Sequence, residues 1–313
     1  MIKVGICGGD DLCTGELVRV LINHPDVELR WVTSAGDAGT RVDALVPGLV
    51  GDCDLETSCE LTDAMLEGID LVMVCRWPAG DRDWMSKLEP EARIIDVTGQ
   101  CHDDATWTTG MPEMMRRVLV HDCMRTVVPG AATIATLLTL LPLARNLLLN
   151  SAVTLRLGMG ADALRVALGD NKSLARWLQD EQRHASEALT MCQTSFAQPL
   201  DMTVTRLSDH RALVVAARVH CAVDATMLRE LYEQYYDDHN FVFIVDRPCT
   251  NADVENTNKC LLRLLKDERS GVLTVQAVMD GVLKGCAGTA VHDMNLMFGL
   301  YERVGLMFKA TGC

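Results

Sequence analysis

The chain has 313 residues, of which 49% are apolar and 23% charged, and it carries a formal net charge of −14. That is length enough for two domains and apolar content enough for a real core. The negative charge argues against nucleic acid or an anionic membrane as partner, and no apolar run is long enough to span a bilayer.

Ile2 to Cys7 is a short apolar run, the length of one buried strand. Because the chain opens on a strand and not on a basic segment with an apolar one behind it, no export signal is expected and a cytoplasmic location is. Gly5, Gly8 and Gly9 break the run. From Thr14 a helical period follows, with Leu17, Val18, Val20, Leu21 and Ile22 on or near one face, and Asn23, His24 and Pro25 end it. Thr14 is the candidate cap, and Glu16 suits the first turn. Strand, glycine turn and helix make the opening of a dinucleotide-binding βαβ unit. Its glycines let backbone approach a pyrophosphate, and its helix start supplies N–H donors. Yet the spacing Gly5, Gly8, Gly9, Gly15 is no clean G-x-G-x-x-G, and Asp10 and Asp11 sit where a phosphate would lie. A doubly wound domain whose nucleotide site has decayed therefore stands beside the nucleotide-binding reading.

Val27 to Ser34 reads as the second strand. Its end meets the adenosine ribose in such folds, and Thr33-Ser34 with Arg41 further on leans to NADP over NAD, against an ordinary strand-end turn. Ala64 to Gly68 reads as a helix end and Ile69 to Cys75 as a buried strand. Trp84 to Leu88 falls on a helix, and Ala92 to Thr98 and Arg125 to Val128 on strands. After Pro129-Gly130, Ala131 to Leu143 is an apolar helix. This alternation predicts a mostly parallel sheet covered on both faces. Beyond Asn150, Val153 to Leu157 and Val214 to Ala222 read as antiparallel strands. Asn171 to Cys192 reads as a polar helix, interrupted or not, and Asp224 to Tyr236 as another. Val242 to Val245 and Val272 to Met279 are strands, and Gly285 to Leu306 is a small-residue turn with a long apolar helix. Thirteen cysteines without C-x-x-C spacing predict reduced thiols in apolar positions and no metal site.

Several stretches together resemble one family, N-acetyl-gamma-glutamyl-phosphate reductase of arginine biosynthesis. They are VGICGG with TGELVRVLINHPDVEL, TSAGDAG, IIDVT, TGMPE at Thr109 to Glu113, VPGAATIATLLTLLPL at Val128 to Leu143, EQRHASE at Glu181 to Glu187, NTNKC at Asn256 to Cys260, and LKGCAGTAVHDMNLMF at Leu283 to Phe298. The last two look closest to a subgroup from gut-type anaerobic bacteria, some with an N-succinyl substrate. The resemblance implies an α/β fold, in which a Rossmann-type dinucleotide-binding domain (1–131 plus 288–313) holds an inserted α+β catalytic and dimerisation domain (132–287). It implies NADP as cofactor, bound by Gly5, Gly8, Gly9, Thr14, Gly15, Ser34, Lys284, Gly285 and Asn295. It implies an N-acyl-glutamyl phosphate as substrate, held by Arg206, Arg211 and Glu187, and a homodimer or tetramer. In the family a cysteine thiolate attacks the acyl phosphate, NADPH reduces the thioester to the semialdehyde, and a histidine, here His184, assists proton transfer.

The chain departs from the family pattern where the nucleophile should stand: Ala131 follows Pro129-Gly130. A methyl group forms no thioester. Val128 and Ala132 replace the flanking Asn and aromatic residue, CRWPAG at Cys75 to Gly80 lacks a His-Gly pair, and GMGADALR at Gly158 to Arg165 has lost most of a Ser/Gly-rich substrate loop. Cys101 and Cys286 are the nearest alternative thiols, and neither begins a helix after a Pro-Gly turn. The expectation is a reductase fold whose activity is absent or weak, with a non-catalytic metabolite-binding, regulatory or partner subunit as the alternative. Each survivor also has a plainer reading: His184 in a charged helix, Arg206 and Arg211 as surface charges, Lys284 facing water.

Overall fold

The computed structural model of the protein describes residues 1–9, 11–34, 38–121, 123–169 and 173–311. In chain order its elements are β1 (Ile2–Cys7), α1 (Leu12–Leu21), β2 (Val27–Thr33), α2 (Val42–Leu45), β3 (Thr57–Ser58), α3 (Asp63–Leu66), β4 (Leu71–Val74), β5 (Arg93–Asp96), β6 (Thr108–Thr109), α4 (Pro112–Val120), β7 (Arg125–Val127), α5 (Ala131–Arg145), β8 (Val153–Met159), α6 (Ala161–Leu168), α7 (Leu174–Cys192), β9 (Leu200–Arg206), β10 (Ala212–His220), α8 (Ala225–Tyr236), β11 (Val242–Ile244), β12 (Cys260–Asp267), β13 (Val272–Asp280) and α9 (Gly288–Met297). They fall into two compact units. Met1–Pro129 with Cys286–Met307 forms the first; Gly130–Gly285 with the residues from Phe308 onward forms the second. The division thus comes two residues before Ala131 on the way in and two before Gly288 on the way out. It also assigns the tail from Phe308 to the second unit, whereas 288–313 was expected to lie wholly in the first.

The first unit is a seven-stranded sheet in the order β3-β2-β1-β4-β5-β7-β6, with every pairing parallel. Strands covered on both faces read as continuous apolar runs, and β4 (LVMV) is buried at all four positions. Gly5 in β1 is there for packing: a Cβ would fall 2.1 Å from the Trp31 indole. That indole in turn donates from Nε1 to the Met65 carbonyl at 2.7 Å. Asp11, not Thr14, caps α1. The segment from Trp84 is a single 3₁₀ turn, Asp83–Lys87. The expected long C-terminal helix stops at Met297, because Gly299 takes a φ of 67° that reverses the chain. The residues beyond fold back on α9: Asn295 donates from Nδ2 to the carbonyls of Glu302 (3.1 Å) and Val304 (2.9 Å). His24 Nε2 donates to Asn295 Oδ1 at 3.0 Å, while its Nδ1 accepts from the Asp26 N–H at 3.2 Å.

The second unit is a six-stranded mixed sheet, β11-β12-β13-β10-β8-β9. Its β8, β10, β13 and β12 run antiparallel in succession, and the outer strands β9 and β11 pair parallel to their neighbours. Helix α7 begins at Leu174 under a Ser173 cap and is continuous to Cys192; Asn171 lies outside the described residues. Helix α5 is buried from Ala131 to Ala144 and packs on β10, β13, α7 and α8. It also contains Pro142. Proline has no N–H, so the carbonyl four residues back loses its helical donor. That carbonyl belongs to Leu138, and the Tyr236 hydroxyl of α8 donates to it at 2.6 Å. Tyr232, one turn earlier on α8, donates to Thr139 at 2.5 Å. Tyr236 thus repairs the backbone of a buried helix that its own sequence interrupts, and Tyr232 adds a second hydrogen bond to the carbonyl beside it.

Tyr236→Phe leaves a buried carbonyl unpaired and is expected to lower unfolding free energy by about 1–3 kcal/mol in urea titrations. Tyr232→Phe, whose acceptor has the Leu143 N–H four residues on, should cost less. A pH effect follows from His24. Burial pushes its imidazole below the ordinary 6.5. The unfolded chain therefore takes up the proton first, and stability is full above that value and falls as pH drops below it. Between about pH 7.5 and about pH 5.5, His24→Gln should lose less stability than the unmodified protein.

Candidate functional site

The glycine turn of the first unit runs from the end of β1 into α1. Gly8 N–H donates to Thr33 Oγ1 at 3.1 Å, and Gly9 N–H donates to Thr14 Oγ1 at 3.3 Å. A Cβ on Gly8 would lie 2.5 Å from the Thr14 side chain, and one on Gly15 would lie 3.0 Å from Val46. The turn therefore brings backbone and side chains into close approach. Its charge is another matter. Asp11 Oδ1 accepts the Thr14 N–H at 2.8 Å, and Oδ2 accepts the Thr14 hydroxyl at 2.8 Å. A helix start carries N–H groups without helical partners and a partial positive charge, and here the chain's own carboxylate takes that place. The Arg76 guanidinium borders the same spot: a Cβ on Gly9 would fall 3.1 Å from its Nε and 3.3 Å from Asp11 Oδ2. Asp10 lies outside the described residues, as do 35–37 of the second-strand turn.

The remaining candidate cofactor residues of this unit are committed to the protein itself. Ser34 is buried and its N–H donates to the Ser58 carbonyl at 2.8 Å. The Asn295 carboxamide is spent on His24, Glu302 and Val304. Arg41 pairs with Asp43 and Asp54. Cys101 is no ready substitute nucleophile. Burial, with Asp96 alongside, pushes its thiol up to about 12, although Arg82 donates to its sulfur at 3.0 Å.

In the second unit the focus is the start of α5. Ala131 is its first residue and is 3% exposed. Gly285 packs against it so closely that a Cβ there would lie 2.8 Å from Ala131 Cβ. Lys284, beside Gly285, has no exposure at all. Both belong to a wide π-type turn, Leu283–Ala287. The start of α5 is again closed by a carboxylate. Glu181 of α7 accepts the Thr133 N–H at 2.7 Å through Oε2, and its own carbonyl accepts the Thr133 hydroxyl at 3.2 Å. A Cβ on Gly130 would fall 1.8 Å from Glu181 Oε1, so glycine there is what admits the carboxylate.

His184 is one turn further along α7 and buried at 9% exposure. Its Nε2 lies 2.9 Å from Arg183 Nη2. Arginine only donates, so Nε2 accepts and the ring is in its neutral Nδ1–H form. Glu187 is exposed and pairs with Arg183 at 3.2 Å. Arg211 donates from Nε to the fully buried Asp280 at 2.8 Å. Asp280 also accepts the N–H groups of Asn256, Val282 and Leu283, which makes it a hub for the chain around the π-type turn. Arg206, at the end of β9, is exposed. The structure thus brings His184 and Glu187 to one helix, ties Arg211 into the fold and leaves Arg206 to solvent.

Sequence reading missed two residues here. The sequence reads Asp11 as a repulsive charge, although an Asp three residues before Thr14 also has the spacing of a helix cap. Glu181 lay inside the quoted EQRHASE segment with no role, and its partner Thr133 is 48 residues away, beyond any local pattern.

Comparison with known proteins agrees with this architecture. Residues 3–121 match the family model described as "Semialdehyde dehydrogenase, NAD binding domain", and residues 132–281 match "Semialdehyde dehydrogenase, dimerisation domain". Among solved structures, aspartate semialdehyde dehydrogenase II from Vibrio cholerae, complexed with ASA, superposes with a TM-score of 0.72 at 15% identity. The match covers 96% of this chain and 99% of that one, a likeness of fold alone. No helix among the described residues is long and apolar enough to cross a membrane. Curated relatives include the N-acetyl-gamma-glutamyl-phosphate reductases of Parabacteroides distasonis, 34% identical over 329 residues, and of Phocaeicola vulgatus, 34% identical over 326, each match covering 99% of both chains. On that identity over nearly its whole length, the chain belongs to the N-acetyl-gamma-glutamyl-phosphate reductase family.

Proposed function

We propose that this chain is a non-reducing member of its family, a metabolite-binding or partner subunit in place of a hydride-transferring enzyme. The observation that carries this reading is Ala131. Covalent catalysis on an acyl phosphate needs a thiolate at the start of a helix, where the dipole lowers its pKa and N–H groups receive the oxyanion. Residue 131 starts such a helix, α5, and offers a methyl group.

Two further features support it. Glu181 occupies the first turn of α5, where an oxyanion would have to form. Asp11 holds the Thr14 N–H at the start of α1, where a dinucleotide pyrophosphate would have to sit. The residues present do not fit that phosphate group, since a carboxylate and a pyrophosphate compete for the same donors and repel each other. The resemblance names NADP, an N-acetyl- or N-succinyl-glutamyl phosphate, His184 as proton carrier and Arg206 with Arg211 as anion holders. On this reading the arginines are what remains for recognising an acyl-glutamate anion, and the second unit supplies contacts for a homo-oligomer or for an active relative.

The purified protein should oxidise no NADPH in the presence of N-acetylglutamyl phosphate and give no NADPH heat in calorimetry. Turnover at an ordinary enzyme rate, about 10 s⁻¹, would sink the reading. Asp11→Asn should restore measurable NADPH binding if the cap is what closes the turn. A thiol supplied by Ala131→Cys should be poorly activated, because the Glu181 carboxylate disfavours the thiolate. Its alkylation by iodoacetamide at neutral pH should quicken about tenfold or more once Glu181→Gln is added.

A further inference from the structure

Three thiols of the first unit converge beside the glycine turn. Cys13, the second residue of α1, has its Sγ 2.7 Å from that of Cys286, in the turn ahead of α9. Cys75, just past β4, brings its Sγ to 3.7 Å from Cys13. Cys13 and Cys286 are buried and Cys75 is half-buried. The nearby Cys7 is set apart, since its side chain packs into the cluster of Trp31, Trp84 and Trp107. Cys101 is likewise engaged elsewhere, with Arg82. The function proposed above uses none of these three sulfurs.

We infer that Cys13 and Cys286 form a reversible disulfide, with Cys75 as the thiol through which a hydroperoxide oxidant enters. Hydrogen peroxide, the oxidant for which the balance is written, transfers an OH to the Cys75 sulfur as its O–O bond breaks, and its other oxygen leaves as water with the thiol proton. Cys13 Sγ attacks that sulfur and expels the hydroxyl, which takes the Cys13 proton and leaves as a second water. Cys286 Sγ then attacks Cys13 Sγ and returns Cys75 as a thiol carrying the Cys286 proton. The net change is two S–H bonds and one O–O bond broken, one S–S bond formed and two waters released. The linear order Cys75, Cys13, Cys286 is the order that the relay requires. Sulfur contacts with Cys286 and Cys75, together with burial, hold the Cys13 thiol well above its ordinary value. Attack by Cys13 on the oxidised Cys75 is therefore slow. The closed covalent ring would contain, in sequence, the whole of 130–285, the main segment of the second unit.

The test uses the full chain, reduced, diluted and then exposed to hydrogen peroxide, alkylated with iodoacetamide and mapped by peptide mass spectrometry without reduction. The expected result is one linked pair, Cys13 with Cys286. Free thiols should fall by two from the thirteen of the reduced chain, with recovery on adding dithiothreitol. The linked form should also melt at a higher temperature, because the ring restricts the unfolded chain. Cys13→Ser and Cys286→Ser should each abolish the pair and the shift, and Cys75→Ser should slow its formation by peroxide several-fold. The proposal is overturned if Cys13 and Cys286 are both alkylated after oxidation of folded protein, or if linked pairs scatter over other cysteines in equal yield. The map of the unmodified chain decides this even where a serine variant fails to fold.

Discussion

A buried helix start has N–H groups that must be answered, and in this protein two of them are answered by carboxylates of the chain itself. Asp11 does so at α1 from within the same turn, and Glu181 does so at α5 from across 48 residues. Each contact is worth roughly 1 kcal/mol as a cap, more where the charge is shielded from water. The glycine turn and the Gly130 corner are shaped around these caps. So is the chemistry that remains available, because a helix start that already holds an anion has little left for a second one.

How much was legible depends on the range over which each feature is determined. Buried parallel strands announce themselves as apolar runs, so β1 is read to the residue and β4 nearly so. The start of α5 follows from the Pro-Gly turn and the apolar run behind it. The C-terminal helix was read too long because Leu300, Val304 and Leu306 continue an apolar texture. The structure spends them on a loop that Gly299 turns back. Strand β12 (CLLRLLKD) went unread, since its apolar residues do not alternate. At the site, Ala131 was visible through a motif and its neighbours were not. Gly285 against Ala131, Glu181 on Thr133 and Cys13 beside Cys286 join residues far apart in sequence.

Scaffold and chemistry are separable here in a way that the contacts make plain. Gly5 is required by the Trp31 ring and Gly285 by its closeness to Ala131, while Asp280 gathers three N–H groups and a guanidinium. None of these requirements depends on a ligand. The likeness of fold to aspartate semialdehyde dehydrogenase II persists at 15% identity.

The proline in α5 has a consequence for how the chain comes into being. A nascent chain emerges from its N-terminus, and the Leu138 carbonyl that Pro142 cannot serve is made 98 residues before the Tyr236 hydroxyl that does. Until α8 has been synthesised, the central helix of the second unit carries one bare acceptor in its most apolar stretch. Water or a chaperone must attend to it in the meantime. Helix α5 is therefore completed by translation of a later segment, and any fragment that ends before Tyr236 lacks part of the backbone pairing of its own core.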